Sequence, residues 1–541
     1  MTLRRWLPLG LLALLLLAAA WRGVQVFQPS ITTGDEALVA LRARGLVEQG
    51  HGWTPYWNGA PDVHKPPLYF WLVGIGYKVW GIQLAAVRVP ALAAYLVVLA
   101  LTFVLGRRVA GDWAGLLAAL FAALHPTMAV QSSMGMMDSL MIALTLGGAW
   151  FLLRTDDSPR FFAGWGLCCG LALLTKGPGA VPILPVSLLY LLVARRSTFR
   201  QPWFYAALAG GLVLAGIWFG SQFLLNHDAF VKPYYSDIVG YRLKHSWTDT
   251  ALYLKSVSYL WASWGGVAPL FFGAFVLPWL WMRGPAARGA RDATLLVALA
   301  GAVPLVMVSL VRQQMSWYML PAVPPMAIIA AWLTTRLLQR SAPLTLRLVA
   351  GALLAAGVWL PNVYARPTAW PALVCVLAAV SMLAAVGRRE AWQRLSGAAF
   401  GLGLAAALTG SLSLQNPHVT VMRLRDSSEI RVIAQRLGAV TPTGNPLVVN
   451  FRHYKLNSLM FYAHQDSVQL KDFCQQPIAP GARYLGVLAG GECREFLRGL
   501  AVESLGEYAG YELVVIQNSS TEPVTPGLPP NVPAGEAADE L

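Results

Sequence analysis

Charge is what this chain has least of. Only 12% of its 541 residues are Asp, Glu, Lys or Arg, against roughly 25% in soluble domains. Hydrophobic residues make up 56%, and the mean hydropathy is +0.52. A soluble globular protein is excluded, and most of the chain is expected inside a membrane. Acidic residues are scarcer still, 26 against 41 basic ones, for a net charge of +15. A basic balance can mark nucleic-acid binding, but the apolar content argues against it. Cysteine is rare, with five in all, and no CxxC or Cys/His metal spacing occurs. Cys168, Cys169 and Cys375 lie in apolar runs and read as packing residues. There is no P-loop, no Gly-rich nucleotide fingerprint and no internal repeat.

What is present is a series of apolar runs. A spanning helix needs about 20 residues. Candidates lie near 6–28, 85–105, 112–131, 138–154, 160–175, 178–194, 203–225, 259–282, 293–311, 318–338, 346–361, 368–386 and 395–414. The first resembles a signal peptide ending at Ala18-Ala19-Ala20, but its apolar character continues to Phe27, which favours an uncleaved span. Arginines mark every second connection: Arg4/Arg5, Arg107/Arg108, Arg154/Arg160, Arg195/Arg196/Arg200, Arg283/Arg288/Arg291, Arg336/Arg340/Arg347 and Arg388/Arg389/Arg394. The positive-inside rule makes these connections, and the N-terminus, cytoplasmic. Residues 67–82 are apolar enough to span, but a crossing there would flip every later cluster. They are expected as an interfacial helix, with Trp71, Tyr77 and Trp80 at the boundary and Lys78 snorkelling.

The expected architecture is a polytopic α-helical membrane domain, residues 1–415, of about thirteen spans. It includes a first outer loop and interfacial helix at 29–84. A small extracytoplasmic α/β domain follows at 416–517, then a Pro-rich, acidic, disordered tail at 518–541. In the α/β domain, 427–437 reads as helix and 446–451, 483–487 and 511–517 read as strands. Cys474 and Cys493 would face an oxidising compartment, where a disulfide between them is expected.

Ionisable residues at membrane edges are costly and default to functional hypotheses. On the outer side they are few. Asp35 and Glu36 follow the first span. His64, Lys65 and Tyr69 lie in His64-Lys65-Pro66-Pro67-Leu68-Tyr69. Asp138 starts the fourth span, Lys176 lies between the fifth and sixth, Arg242 lies in the long loop, and Tyr318 precedes the tenth span. Singly, each has an ordinary explanation: Asp138 as a helix N-terminal charge, Tyr318 as an interface aromatic, Arg242 as a headgroup contact. Together, carboxylates beside several cations on one face suit a base next to an anion site. A lipid-linked phosphate fits such a site, with its tail between helices and its phosphate among Lys and Arg.

Four motifs carry a resemblance. They are Asp35-Glu36 after the first span, Asn58-Gly59-x-Pro61-x-x-His64-Lys65-Pro66-Pro67-Leu68-Tyr69, Met137-Asp138, and Thr175-Lys176-Gly177-Pro178. In this order, over roughly residues 1–340, they resemble the bacterial branch of the protein O-mannosyltransferase superfamily, which includes the aminoarabinose transferases that modify lipid A. The resemblance implies a GT-C fold, a bacterial inner-membrane location and an active site facing the periplasm. It also implies inverting transfer from a polyprenyl (undecaprenyl) phosphate sugar to a lipid A-like lipid, glycan or protein. Asp35 matches the catalytic acidic position, and Asp138 an acid in the second outer loop. Lys65 matches the donor-phosphate lysine, while Lys176, Arg242 and Tyr318 look like further phosphate-pocket residues. Glu36, His64 and Tyr69 are possible support; His64 stands where some lipid A transferases carry Glu. No cofactor is called for and no metal-ligand set is assigned, a divalent metal being an option the residues do not support. A monomer is expected. The competing class is a lipid or polyol transporter or flippase, but those place ions near the midplane on broken helices and in repeats.

Overall fold

The computed structural model describes residues 3–28, 31, 34–49, 52–234, 288–309, 316–338, 344, 346–348, 351–352, 369–386, 390–410, 428–438, 445–449, 455–489, 497–508 and 510–526. The chain divides into two units. One comprises Met1–Gln28, Gly52–Pro55 and Pro61–Val421; the other comprises Pro29–His51, Tyr56–Ala60 and Met422–Leu541. This differs from the expected division: much of the first loop belongs with the C-terminal region, not with the membrane helices.

The first unit is helical. After α1 (Leu3–Val26), its helices are α3 (Leu68–Trp80), α4 (Leu84–Ala110), α5 (Asp112–Leu124), α6 (Pro126–Gln131), α7 (Asp138–Arg154), α8 (Phe161–Lys176), α9 (Ile183–Ala194), α10 (Pro202–Leu225) and α11 (His227–Pro233). Then come α12 (Arg288–Ser309), α13 (Val323–Leu337), α14 (Ala369–Val386) and α15 (Glu390–Gly410). Among the described residues, four helices are long and apolar enough to cross a membrane: Leu84–Ala110, Pro202–Leu225, Gly289–Val308 and Trp317–Leu337. The 27 residues of α4 rise about 40 Å at ~1.5 Å each, more than the hydrocarbon thickness of about 30 Å.

Prolines interrupt two of the expected spans. The run 112–131 is broken at His125, whose backbone is extended because Pro126 follows it. The His125 side chain then caps α6 by accepting from the Met128 amide at 3.5 Å. The run 178–194 is not one helix either. Residues Gly177–Ala180 form a 3-10 turn, α9 has only 12 residues, and the chain bends by 106° between α8 and α9. The expected spans at 259–282 and most of 346–361 lie outside the described residues.

Two features fix how α8 sits. Gly166 and Gly170 on α8 face Ala207 and Gly211 on α10, small residues four apart on both helices. A Cβ added at Gly166 would lie 2.1 Å from the Ala207 carbonyl oxygen, and one at Gly211 would lie 2.3 Å from that of Gly166. The two backbones touch, which is how helices associate where no hydrophobic driving force acts between them. At the other end of the bundle, buried Arg195 bonds Asp156 and lies 3.1 Å from Asp292. One of the arginines expected to set topology therefore joins three chain segments. Near the start of the chain, fully buried Arg88 of α4 donates to the carbonyls of Gln28 at 2.7 Å and Val26 at 3.4 Å. It satisfies oxygens that the C-terminus of α1 leaves open.

The second unit holds α2 (Gly34–Glu48), the strand β1 (Tyr56–Trp57) and the start of β2 (Ala60–Pro61). Asn58 and Gly59 both have positive φ, 52° and 75°, as a two-residue hairpin turn requires. After α16 (Ser428–Gly438) come β3 (Leu447–Val449), α17 (Lys455–Ala463), β4 (Ser467–Gln469), α18 (Leu470–Phe473), β5 (Arg483–Ala489), β6 (Ala501–Tyr508) and β7 (Tyr511–Gln517). The sheet order is β4-β3-β5-β7-β6, with β3 parallel to β4 and β5 and the other pairs antiparallel. Val448, Leu488, Val514, Ile516, Phe473 and Cys474 form its core. Cys493, the expected partner of Cys474, lies outside the described residues.

The first nine residues of the expected tail are held in place. Asn518 is fully buried and donates to the Ile478 and Glu522 carbonyls at 2.7 and 2.9 Å. Val524 pairs with Ile478 through backbone bonds of 2.7 and 3.0 Å. These bonds fix 518–526, whose polar, Pro-containing composition suggested disorder; 527–541 lie outside the described residues.

The first-loop pieces are tied to α17. The Ile31 amide donates to Tyr462 Oη at 2.7 Å, and Arg44 to the Met460 carbonyl at 3.1 Å. Asn58 exchanges bonds with the Ser467 backbone at 2.9 and 2.7 Å.

Candidate active site

In the membrane unit, the site begins at the corner before α3. Pro66 and Pro67 fix the backbone, and α3 starts at Leu68. Tyr69 is fully buried and donates its hydroxyl to the Val87 carbonyl at 2.8 Å. It joins α3 to α4. His64 Nδ1 donates to Asp62 Oδ1 at 2.6 Å, and its amide approaches the same oxygen at 3.3 Å. Asp62 was not singled out by sequence; the available signal was its position two residues before the motif histidine. Lys65 is partly buried.

The corner packs against the turn after α8. Gly177 has φ 56°, a conformation open to glycine. A Cβ there would meet Pro66 Cγ at 3.4 Å and Phe219 Cζ and Tyr234 Oη at 3.6 Å. Beneath lies an apolar cluster of Val63, Leu174, Ala215 and Trp218, with Leu68, Trp71 and Phe219 against it. Loop 52–55 is pinned alongside: Trp53 Nε1 donates to Ser221 Oγ at 2.6 Å, and Trp218 Nε1 to the Trp53 carbonyl at 3.1 Å. The two sequence motifs, distant in the chain, thus meet at Pro66 and Gly177.

Lys176 precedes that glycine. Its Nζ lies 2.5 Å from Asp138 Oδ1 and 5.5 Å from the centre of the Tyr318 ring. Asp138 is the first residue of α7 and 1% exposed. Its second oxygen, Oδ2, is buried with no hydrogen-bond partner among the described residues. Three residues taken separately from the sequence therefore converge. A buried carboxylate and ammonium compensate each other's desolvation, and the Tyr318 face adds a cation–π contact. Arg242 lies outside the described residues.

Asp35 and Glu36 belong to the other unit, in the first turn of α2, where the helix dipole favours acidic side chains. Asp35 is exposed and Glu36 fully buried. Of the adjacent carboxylates, only Asp35 is open to a substrate.

The model of the dolichyl-phosphate-mannose-protein mannosyltransferase family matches residues 64–218, which contain His64, Lys65, Asp138 and Lys176. An undecaprenyl phosphate-alpha-4-amino-4-deoxy-L-arabinose arabinosyl transferase of Pseudomonas paraeruginosa is 27% identical over 58% of this chain and 57% of its own length. An uncharacterized protein of Aquifex aeolicus is 26% identical over 55% of this chain and 58% of its own. The crystal structure of ArnT from Cupriavidus metallidurans bound to undecaprenyl phosphate has a TM-score of 0.64 at 18% identity, covering 94% of this chain and 97% of that one.

Residues 64–218 thus resemble the mannosyltransferase family, and the chain as a whole has the fold of the ArnT structure.

That likeness of fold extends over nearly the whole chain. Similarity to the curated sequences is confined to just over half their length.

Proposed function

We propose that the protein is an inverting membrane glycosyltransferase. It moves a sugar from a polyprenyl phosphate to an envelope acceptor, a lipid A-like lipid, glycan or protein, on the periplasmic face of a bacterial inner membrane. The observation that carries this reading is the cationic cluster at the meeting of the two motifs. Lys176 is held by Asp138 and Tyr318, and the next residue along packs against the corner that bears Lys65. ArnT's capture with undecaprenyl phosphate supports a polyprenyl-phosphate donor.

In the proposed mechanism, an acceptor oxygen attacks the anomeric carbon as the bond to the phosphate oxygen breaks. Asp35 takes the proton of a hydroxyl acceptor. Lys65, with Lys176 and Arg242, stabilises the charge on the departing polyprenyl phosphate, which supplies most of the rate. Asp138 aims Lys176 with one oxygen and offers the other to a substrate hydroxyl. The transporter reading is not favoured, because the matched proteins bear transferase names and a transferase fold.

Incubating purified full-length protein with a labelled polyprenyl-phosphate sugar tests the class. Release of polyprenyl phosphate is expected; an intact bond after translocation would restore the transporter. Asp35→Asn should abolish transfer in protein that still inserts, and wild-type transfer would remove Asp35 as the base. Lys65→Ala should lower turnover about 100-fold or more, the loss typical for one charge-stabilising donor. Unchanged donor use would take Lys65 out of the phosphate site.

A further inference from the structure

The second unit contains a cavity of about 580 Å3 that the mechanism does not use. We propose that it is a saccharide subsite for the acceptor, taking a hydroxyl-rich ring that carries no phosphate. The acceptor role rests on the glycosyltransferase reading; the saccharide chemistry rests on the cavity itself.

One wall is the end of α2, with Arg44, Glu48 and Gln49, and the opposite wall is the turn before β4, with Gln465 and Asp466. The size lies within the range of small-molecule sites, roughly 300–1,000 Å3. Buried Arg44 is already committed. Its Nε lies 3.1 Å from Glu48 and its Nη2 3.5 Å from Asp466, while Nη1 donates to the Met460 carbonyl. Two carboxylates against one guanidinium leave the lining net negative. Partial desolvation, then the nearby Arg44 charge, hold His464 below the ordinary histidine range against the pull of Glu48, so it adds no cation at neutral pH. An anionic ligand would meet repulsion with no unspent positive charge.

Hydrogen-bonding capacity is what remains. The side-chain amides of Gln49 and Gln465 have no partner among the described residues. Planar amides and carboxylates, each presenting paired atoms, match neighbouring hydroxyls of a sugar ring. Leu41, Tyr56 and Pro446 supply an apolar face for the C–H side of the ring. The helix that ends at this cavity carries Asp35 in its first turn. The nine residues from Asp35 to Arg44 rise about 13–14 Å, so an acceptor spanning both is longer than one ring: an oligosaccharide or a glycolipid headgroup.

Saturation-transfer NMR on the full-length protein in nanodiscs tests this, with methyl α-glucoside and glucose 6-phosphate as probes. Methyl α-glucoside should receive saturation, and glucose 6-phosphate should not. Gln49→Ala/Gln465→Ala, two surface changes with little expected effect on stability, should cut the signal at least five-fold at an unchanged melting temperature. No signal from the wild type, equal signals from both probes, or an undiminished signal in the double variant would overturn the subsite. Donor turnover measured on the same samples separates the two claims. Turnover without saccharide binding removes the subsite and leaves the transferase. Saccharide binding without turnover keeps the saccharide site and removes its acceptor role.

Discussion

At the scale of single residues, the Asp138–Lys176 pair concentrates the energetics. Removing one partner of a buried pair typically costs about 3–5 kcal/mol, because the other charge is left without compensation. Asp138→Ala and Lys176→Ala should each lower the melting temperature in detergent, and the double variant should melt above either single one. A double-mutant cycle by thermal shift measures the coupling; additive losses would mean that the two charges do not compensate each other. His464 gives a prediction with a sign. Its folded-state value is depressed, so the unfolded chain takes up the proton first. Stability is complete above the ordinary histidine range, about 6.5, and declines as pH falls below it. Hydrogen exchange in α17 should therefore quicken between pH 7.5 and 5.5, and His464→Gln should flatten that dependence. Asp138, Lys176 and Tyr318 stood out in the sequence because charges and aromatics beside apolar runs need a reason. Their pairing did not, since 38 residues separate the acid from the lysine and no local rule spans that distance. Tyr69 stood out because it ends the motif; that its hydroxyl reaches the Val87 carbonyl was not legible.

At the scale of elements, α8 carries Lys176 at its end, and the Gly166–Gly211 seam decides where that end lies. Gly166→Val would drive a side chain into the Ala207 carbonyl. The expected outcome is a large fall in monodisperse yield by size-exclusion chromatography, and lower turnover in what folds. Normal yield and turnover would show that the seam can open. Hydropathy located the long helices because a span must be apolar throughout. It placed the break after Lys176 but missed the one at His125 and the late start of α9 at Ile183, because proline ends a helix without making the run less apolar. In the α/β region, β7 was legible as a buried apolar strand. The exposed edge strand β6, AVESLGEY, offered little apolar pattern to read.

At the scale of the whole molecule, arginine alternation and hydropathy made a polytopic protein with a mixed C-terminal region legible. Neither could reveal that 29–51 and 56–60 belong with that region, because composition does not record partners 400 positions away. The division has a consequence for biogenesis. The Ile31 amide bonds Tyr462, 431 residues later, and Asn58 bonds Ser467, 409 residues later. At about 5–20 residues per second, the helix bearing Asp35 waits roughly 20–80 s after leaving the ribosome for its partners to be made. The membrane helices can insert and pair during that interval. A nascent chain interrupted before α17 therefore holds α2 without the α17 residues that Ile31 and Arg44 bond in the finished fold.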